Sequence, residues 1–183
     1  MALGRLVLRL TVGGLITGHG LQKLRGSFGG PGLEGTTEMM RSIDLHPPRQ
    51  QALAAALSET IGGALTTAGF LSPLGPAMIT GSQAVAAKKV HAKNGLWISG
   101  SGFEYNLTLM AVAFALAAEG PGPLSLDGIL RKQRSGAHWG LFEAALGIGA
   151  AAATLAVAEK MRPSSQVTEG TVTRLPDKDA DSA

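Results

Sequence analysis

The sequence predicts an all-α fold: a polytopic membrane helix bundle with a four-helix core, a fifth helix, and a short surface helix in the first loop. Three observations carry this expectation. Charged residues make up 16% of the chain against 45% hydrophobic, where a soluble domain averages about 25% charged. Between Thr60 and Ala87 there is no Asp, Glu, Lys, Arg or His, although a helix facing water needs a polar side. The charges that do occur fall at one end of each apolar stretch, which is where a spanning helix meets water, so exceptional charges within the stretches become functional candidates.

Mean hydropathy is only +0.19 because the residues from Pro163 onward are polar. The chain therefore divides into a transmembrane helical domain, 1–160, and a polar tail, 161–183, with too little to bury to order itself. The formal charge of +3 is small and scattered. Without a basic stripe interleaved with aromatics, nucleic acid is not an expected partner. Cysteine is absent, which excludes disulfides, thiolate metal ligands and thiol redox steps carried by this chain. Any electrons must travel on a cofactor or a partner. The 26 glycines suit close helix packing in lipid.

A spanning helix needs about 20 mostly apolar residues, and five segments fit that measure: 4–24, 51–71, 74–90, 103–118 and 138–158. In the first, Arg5 and Arg9 precede an apolar run as in a secretory signal. His19, Gln22, Lys23 and Arg25 follow without a small-x-small cleavage pattern, so the segment reads as a retained helix. It contains a GxxxG pattern, Gly14 to Gly18. After a Gly-rich stretch, Thr36-Thr37-Glu38 reads as the start of the surface helix, since a hydroxyl and an acid suit the free amides of a first turn. Met39, Met40, Ile43 and Leu45 give it an apolar side, and His46-Pro47-Pro48 is expected to stop it. The pattern fits a helix lying on the membrane and one packed on the bundle equally well. Ser72 to Pro76 reads as a hairpin between the second and third spans. Trp97 marks headgroup level in the third connection, and Pro/Gly residues at 120–123 lead to Arg131, Lys132 and Arg134.

With five spans, Lys23, Arg25, Arg41, Arg49, Lys88, Lys89, Lys93, Lys160 and Arg162 share one side of the membrane. The positive-inside rule makes that side cytoplasmic. The same connectivity gathers the candidate chemistry. His19 and Lys23 share a face near the end of the first helix. Glu59 lies roughly 12 Å inside the second. His91 ends the third helix beside Lys88 and Lys89, while Glu104 and Tyr105 begin the fourth.

A carboxylate in hydrocarbon needs a partner, and His19, Lys23 and His91 are the candidates to pair with Glu59. Such a cluster suits a quinone headgroup, whose carbonyls need donors and whose reduction needs protons. A structural network pinning helices together accounts for the same residues. The spacing of the histidines matches no metal or haem site. Glu143, a second intramembrane carboxylate, is expected to pair with His138 or Arg134. No nucleophile elbow or phosphate-binding loop occurs in the sequence.

Four stretches then carry a resemblance: Gly18-His-Gly-Leu-Gln-Lys23; Glu59-Thr-Ile-Gly-Gly63 with Gly69; His91-Ala-Lys-Asn-Gly-Leu-Trp97; and Gly102-Phe-Glu-Tyr-Asn-Leu107. Together they resemble the DoxX family over about Leu3 to Ala118. That resemblance implies a multi-pass protein of the bacterial cytoplasmic membrane, usually built around four helices. Some relatives are linked to thiosulfate:quinone oxidoreduction, others to an assembly with a thiosulfate sulfurtransferase and superoxide dismutase. It therefore implies a redox-associated subunit that binds a quinone through His19, Lys23, Glu59, His91, Glu104 and Tyr105. The implied partners are membrane lipid, a soluble sulfurtransferase or superoxide dismutase, or a larger membrane complex. Asn106 departs from the Pro that often follows the family's Glu-Tyr element, and the fifth helix and tail lie outside the pattern. The rival expectation is a non-catalytic anchor or assembly protein, with a small transporter third, so whether the chain is an enzyme stays open at this point.

Overall fold

The computed structural model describes residues 2–163 as an all-α bundle. The polar tail expected from residue 161 lies, from residue 164 on, outside the described residues. The first helical path comprises α1 (Ala2–Leu8), a π-helical turn (Arg9–Gly13) and α2 (Gly14–Arg25). Next come α3 (Gly32–Ser42) and α4 (Pro48–Ala68). The third long path is α5 (Leu74–Ala86), extended by a second π-helical turn (Ala87–His91). Then follow α6 (Glu104–Glu119), a one-turn α7 (Leu126–Ile129) and α8 (Ala137–Lys160).

Alternation of long helices with short connections makes neighbours antiparallel, and the apolar stripes then meet in two clusters. Val12, Ile16, Ile79, Leu109 and Ala113 join the first path to α5 and α6. Met40, Leu45, Ala52 and Ala158 join α3, α4 and α8. The first helical path packs on α4, α4 on α5, and α5 on both α6 and α8. The fifth long helix thus closes against the outside of a four-helix core.

One helix among the described residues, α8, is long and apolar enough to cross a membrane. Only 22% of its most apolar 18-residue window is buried, and Leu141, Phe142, Leu146, Ile148 and Val157 face outward. A core helix of a water-soluble protein would hide that surface.

Several boundaries differ from the sequence expectation for local reasons. The surface helix begins at Gly32, so Thr36 and Thr37 sit inside it. Both are buried, and their hydroxyls donate to the Gly32 and Leu33 carbonyls at 2.7 and 2.8 Å instead of capping the first turn. It ends at Ser42, before the prolines, and packs on α4 and α2. Pro48 does not stop a helix but opens α4, where its fixed φ and missing N–H are harmless. Gly69 closes α4 with φ +60°. A side chain there would strike the Arg9 guanidinium and Ser125.

The helix-packing glycines are also not the ones in the GxxxG pattern. Gly14 and Gly18 face open space. Gly13, Gly20 and Gly63 lie where α2 and its π-helical turn cross α4: a Cβ on Gly20 would strike the Thr60 backbone, and one on Gly63 would meet Thr17 N at 2.5 Å.

The connection after α6 is ordered by charge. Arg9, buried, donates to the carbonyls of Pro121 at 2.6 Å and Leu124 at 2.7 Å. Arg5 donates to the Glu119 carbonyl. The Asp127 carboxylate accepts from the amides of Leu71 and Ser72, which ties α7 to the turn after α4.

Candidate functional site

The glycine contacts between α2 and α4 determine what their side chains can reach. Because the backbones approach this closely, Lys23, near the end of α2, extends over the middle of α4. Its Nζ donates to Glu59 Oε2 at 2.5 Å. Glu59 is 5% exposed as a residue and the Lys23 side chain 21%. The pair is therefore shielded on the Glu59 side and only grazed by solvent on the other.

It borders a cavity of about 450 Å³ between α3, α4, α5 and α8. From α3 and the residues after it come Met39, Met40, Ile43 and Leu45. The α4 wall carries Gln51, Ala54, Ala55, Ser58 and Glu59, and α5 supplies Ala77, Met78, Gly81, Ser82 and Val85. Leu146, Ala150 and Thr154 come from α8. Lys23 and Glu59 are the charged groups of this lining.

The six residues singled out from sequence gather toward the same end of the bundle without forming one cluster. Lys23 and Glu59 meet. His19 is exposed, outside the cavity lining, with Nδ1 3.0 Å from Gln22 Oε1. His91 Nδ1 lies 2.8 Å from the Ser101 carbonyl, and Glu104 Oε2 accepts from the Ile98 amide at 2.9 Å. Both therefore hold the 92–103 connection in shape. Tyr105 is 45% exposed. Of the three partners proposed for Glu59, the structure selects Lys23.

Sequence reasoning passed over Gln51, Ser58 and Ser82. Gln51 and Ser58, seven residues apart in α4, fall on one face next to Glu59, and that polar stripe is the signal that was available. Ser58 Oγ donates to the Met78 carbonyl at 3.1 Å and links α4 to α5 beside the pair. Among the described residues, no group of three or more His, Asp or Glu side chains is placed to hold a metal ion.

Residues 4–92 match the DoxX family model. That stretch, 89 of the 183 residues, is DoxX-family sequence. DoxX is a bacterial family of membrane proteins associated with redox chemistry. The match runs from the first helix to the end of the π-helical turn after α5, so it contains His19, Lys23, Glu59 and His91. Glu104, Tyr105 and α8 lie beyond it. No curated protein and no solved structure matches the chain.

Helix α8 therefore completes a wall of the cavity from outside the matched region. It also carries Glu143, which the structure places differently from expectation. Glu143 is fully buried and accepts a short hydrogen bond from Thr80 Oγ1 of α5. Its Oε2 lacks a partner among the described residues. Rotation of α8 turns this carboxyl inward, away from water, while His138 and Arg134 stay exposed. Arg134 instead lies over the Trp139 ring at 5.3 Å and donates to the Ser72 carbonyl. Asn106, where the family pattern often has Pro, is buried and donates to Gln83 Oε1 at 2.8 Å, a bond that links α6 to α5.

The Lys23–Glu59 arrangement offers hydrogen-bond donors and a carboxylate at the edge of an apolar, partly enclosed space. An ammonium has three donors, so Lys23 can serve Glu59 and a ligand oxygen together. Ser58 and Ser82 add hydroxyls nearby.

Proposed function

We propose that this chain is a DoxX-family multi-pass subunit of the bacterial cytoplasmic membrane. It binds a quinone headgroup against Lys23 and Glu59 and works with a soluble electron-donating partner. The observation that supports this most directly is an ion pair at 2.5 Å on the wall of an otherwise apolar cavity. Charge inside an apolar bundle is costly and is retained mainly where it acts. A quinone headgroup suits the site because its carbonyls accept hydrogen bonds while its ring prefers apolar walls. When bound, a quinone supplies an acceptor for two electrons and two protons. Lys23 would orient a carbonyl oxygen by donating to it, Glu59 would hold the Lys23 ammonium in place beside that oxygen, and Met40, Leu45 and Val85 would pack against the ring. Since the chain has no cysteine, the electrons come from the partner, a sulfurtransferase, a superoxide dismutase or a larger membrane complex.

The five-span topology is part of this reading. Its support is the outward apolar face of α8, the antiparallel order of the long helices, and the basic residues clustered at the Lys23 end. Absence of native cysteine makes the topology directly testable. In intact spheroplasts, Lys132→Cys should react with an impermeant maleimide, and Lys93→Cys only after permeabilisation. Labelling of both from one side would refute it.

Glu59→Gln separates the catalytic reading from an anchor. Under the proposal, the variant loses donor-dependent quinone reduction yet still recovers its protein partner from membranes. Unchanged reduction in the variant would overturn the role of the pair. A protein that recovers partners but has no effect on quinone in any form is an anchor.

A further inference from the structure

We infer that the cavity takes a quinone with a long isoprenoid tail, which enters sideways from the lipid and lies along α5 between α4 and α8. This rests on the headgroup reading above and adds the class of ligand and its route.

The cavity is too large for a headgroup alone. A cavity of about 150 Å³ suits one benzene-sized ring, and this one is about 450 Å³, so most of the space lies beyond the ring. It is also elongated. Its lining includes both Leu74 and Val90 of the third helical path, which are separated by about 24 Å along a helix rising 1.5 Å per residue. Charge is confined to the Lys23–Glu59 pair, and small residues, Ala77, Gly81 and Ala151, keep the channel open along its length.

The route follows from what is exposed. Ala54, Leu146 and Ala150 belong to the lining and are also exposed at the bundle surface, so the space opens between α4 and α8. The surface beside that opening is apolar, with Leu53, Leu57 and Ile61 on α4. Toward the basic end, Met40 and Leu45 are buried over the cavity, while Met39 and Lys23, also in its lining, stay partly exposed beside the ion pair. The entrance bordered by apolar surface is the one between α4 and α8. A lipid-dissolved chain finds it directly, with its polar head drawn to the one polar wall.

The test compares a long-tailed isoprenoid quinone with its tail-less analogue in nanodiscs, affinities being expressed per mole fraction in the bilayer. Wild-type protein is expected to hold the tailed form about tenfold tighter, through close packing of the tail against the walls. Ala54→Phe and Ala150→Phe fill the opening at exposed positions that do not disturb the helix contacts. Each should reduce the preference to about twofold by weakening the tailed form. Leu57→Phe, outside the lining, should keep the full preference. Equal binding of the two quinones by wild type, or a preference that survives both groove-filling variants, overturns the tail site and leaves the headgroup reading standing. Failure of wild type to bind either quinone overturns both.

Discussion

Removing Lys23 should destabilise the bundle far more than removing both members of its ion pair. In Lys23→Met, Glu59 keeps its 5% exposure and loses the Nζ at 2.5 Å, leaving a carboxylate in an apolar wall. Breaking a buried pair from one side costs about 3–5 kcal/mol. The Lys23 side chain is 21% exposed, which places the expectation at the lower end, about 3 kcal/mol, or over a hundredfold in the folding equilibrium. Glu59→Gln leaves a neutral amide that can still accept from Lys23 and should cost less, about 1–2 kcal/mol. The double variant Lys23→Met with Glu59→Leu removes both charges and should return to within about 1 kcal/mol of wild type. Reversible unfolding in mixed micelles of wild type, Lys23→Met, Glu59→Leu and the double variant gives the coupling energy as a double-mutant cycle. A Lys23→Met cost below about 0.5 kcal/mol, or costs that simply add in the double variant, would show that solvent or lipid headgroups screen the pair and would refute the buried-pair reasoning.

Three further outcomes are expected from the same unfolding measurement. Gly20→Ala forces α2 off the Thr60 backbone and should cost about 1–3 kcal/mol or more, whereas Gly18→Ala faces open space and should stabilise by up to about 1 kcal/mol; equal effects would contradict the crossing. Arg9→Ala abandons the Pro121 and Leu124 carbonyls and should cost about 2–4 kcal/mol, with faster amide exchange at residues 120–130, and unchanged exchange there would show the connection to be ordered by something else. Thr80→Val takes the donor from buried Glu143 and should cost about 1–3 kcal/mol, while Thr80→Ser, which keeps the hydroxyl, should cost less than half as much; indistinguishable variants would mean that the loss is one of packing.

The long helices were legible in the sequence because apolar length and the placement of charge constrain them strongly. Segments 74–90, 103–118 and 138–158 fall within a residue or two of α5 with its π-helical turn, α6 and α8. Short-range chemistry was less decisive. Thr36-Thr37-Glu38 has the composition of a helix start, yet the helix had already begun at Gly32, and Pro48 serves as a first residue where it was expected to stop one.

Depth along the bundle was likewise legible and direction around each helix was not. Candidate residues from four helices do come to the Lys23 end, but only Lys23 turns onto Glu59. His19 shares a sequence face with Lys23, yet one turn earlier it sits on the exposed side. His91 and Glu104 depend on how residues 92–103 fold back, which no periodicity reveals. Glu143 shows the same limit. Its depth was evident, but the inward rotation of α8 that buries it against Thr80 depends on the α5–α8 packing.

The most direct measurement is the small-molecule content of the protein purified in mild detergent, determined by mass spectrometry for wild type and Glu59→Gln. Near-stoichiometric quinone in wild type that disappears in the variant is the result expected if Lys23 and Glu59 form the headgroup site. Bulk phospholipid alone in both would contradict it.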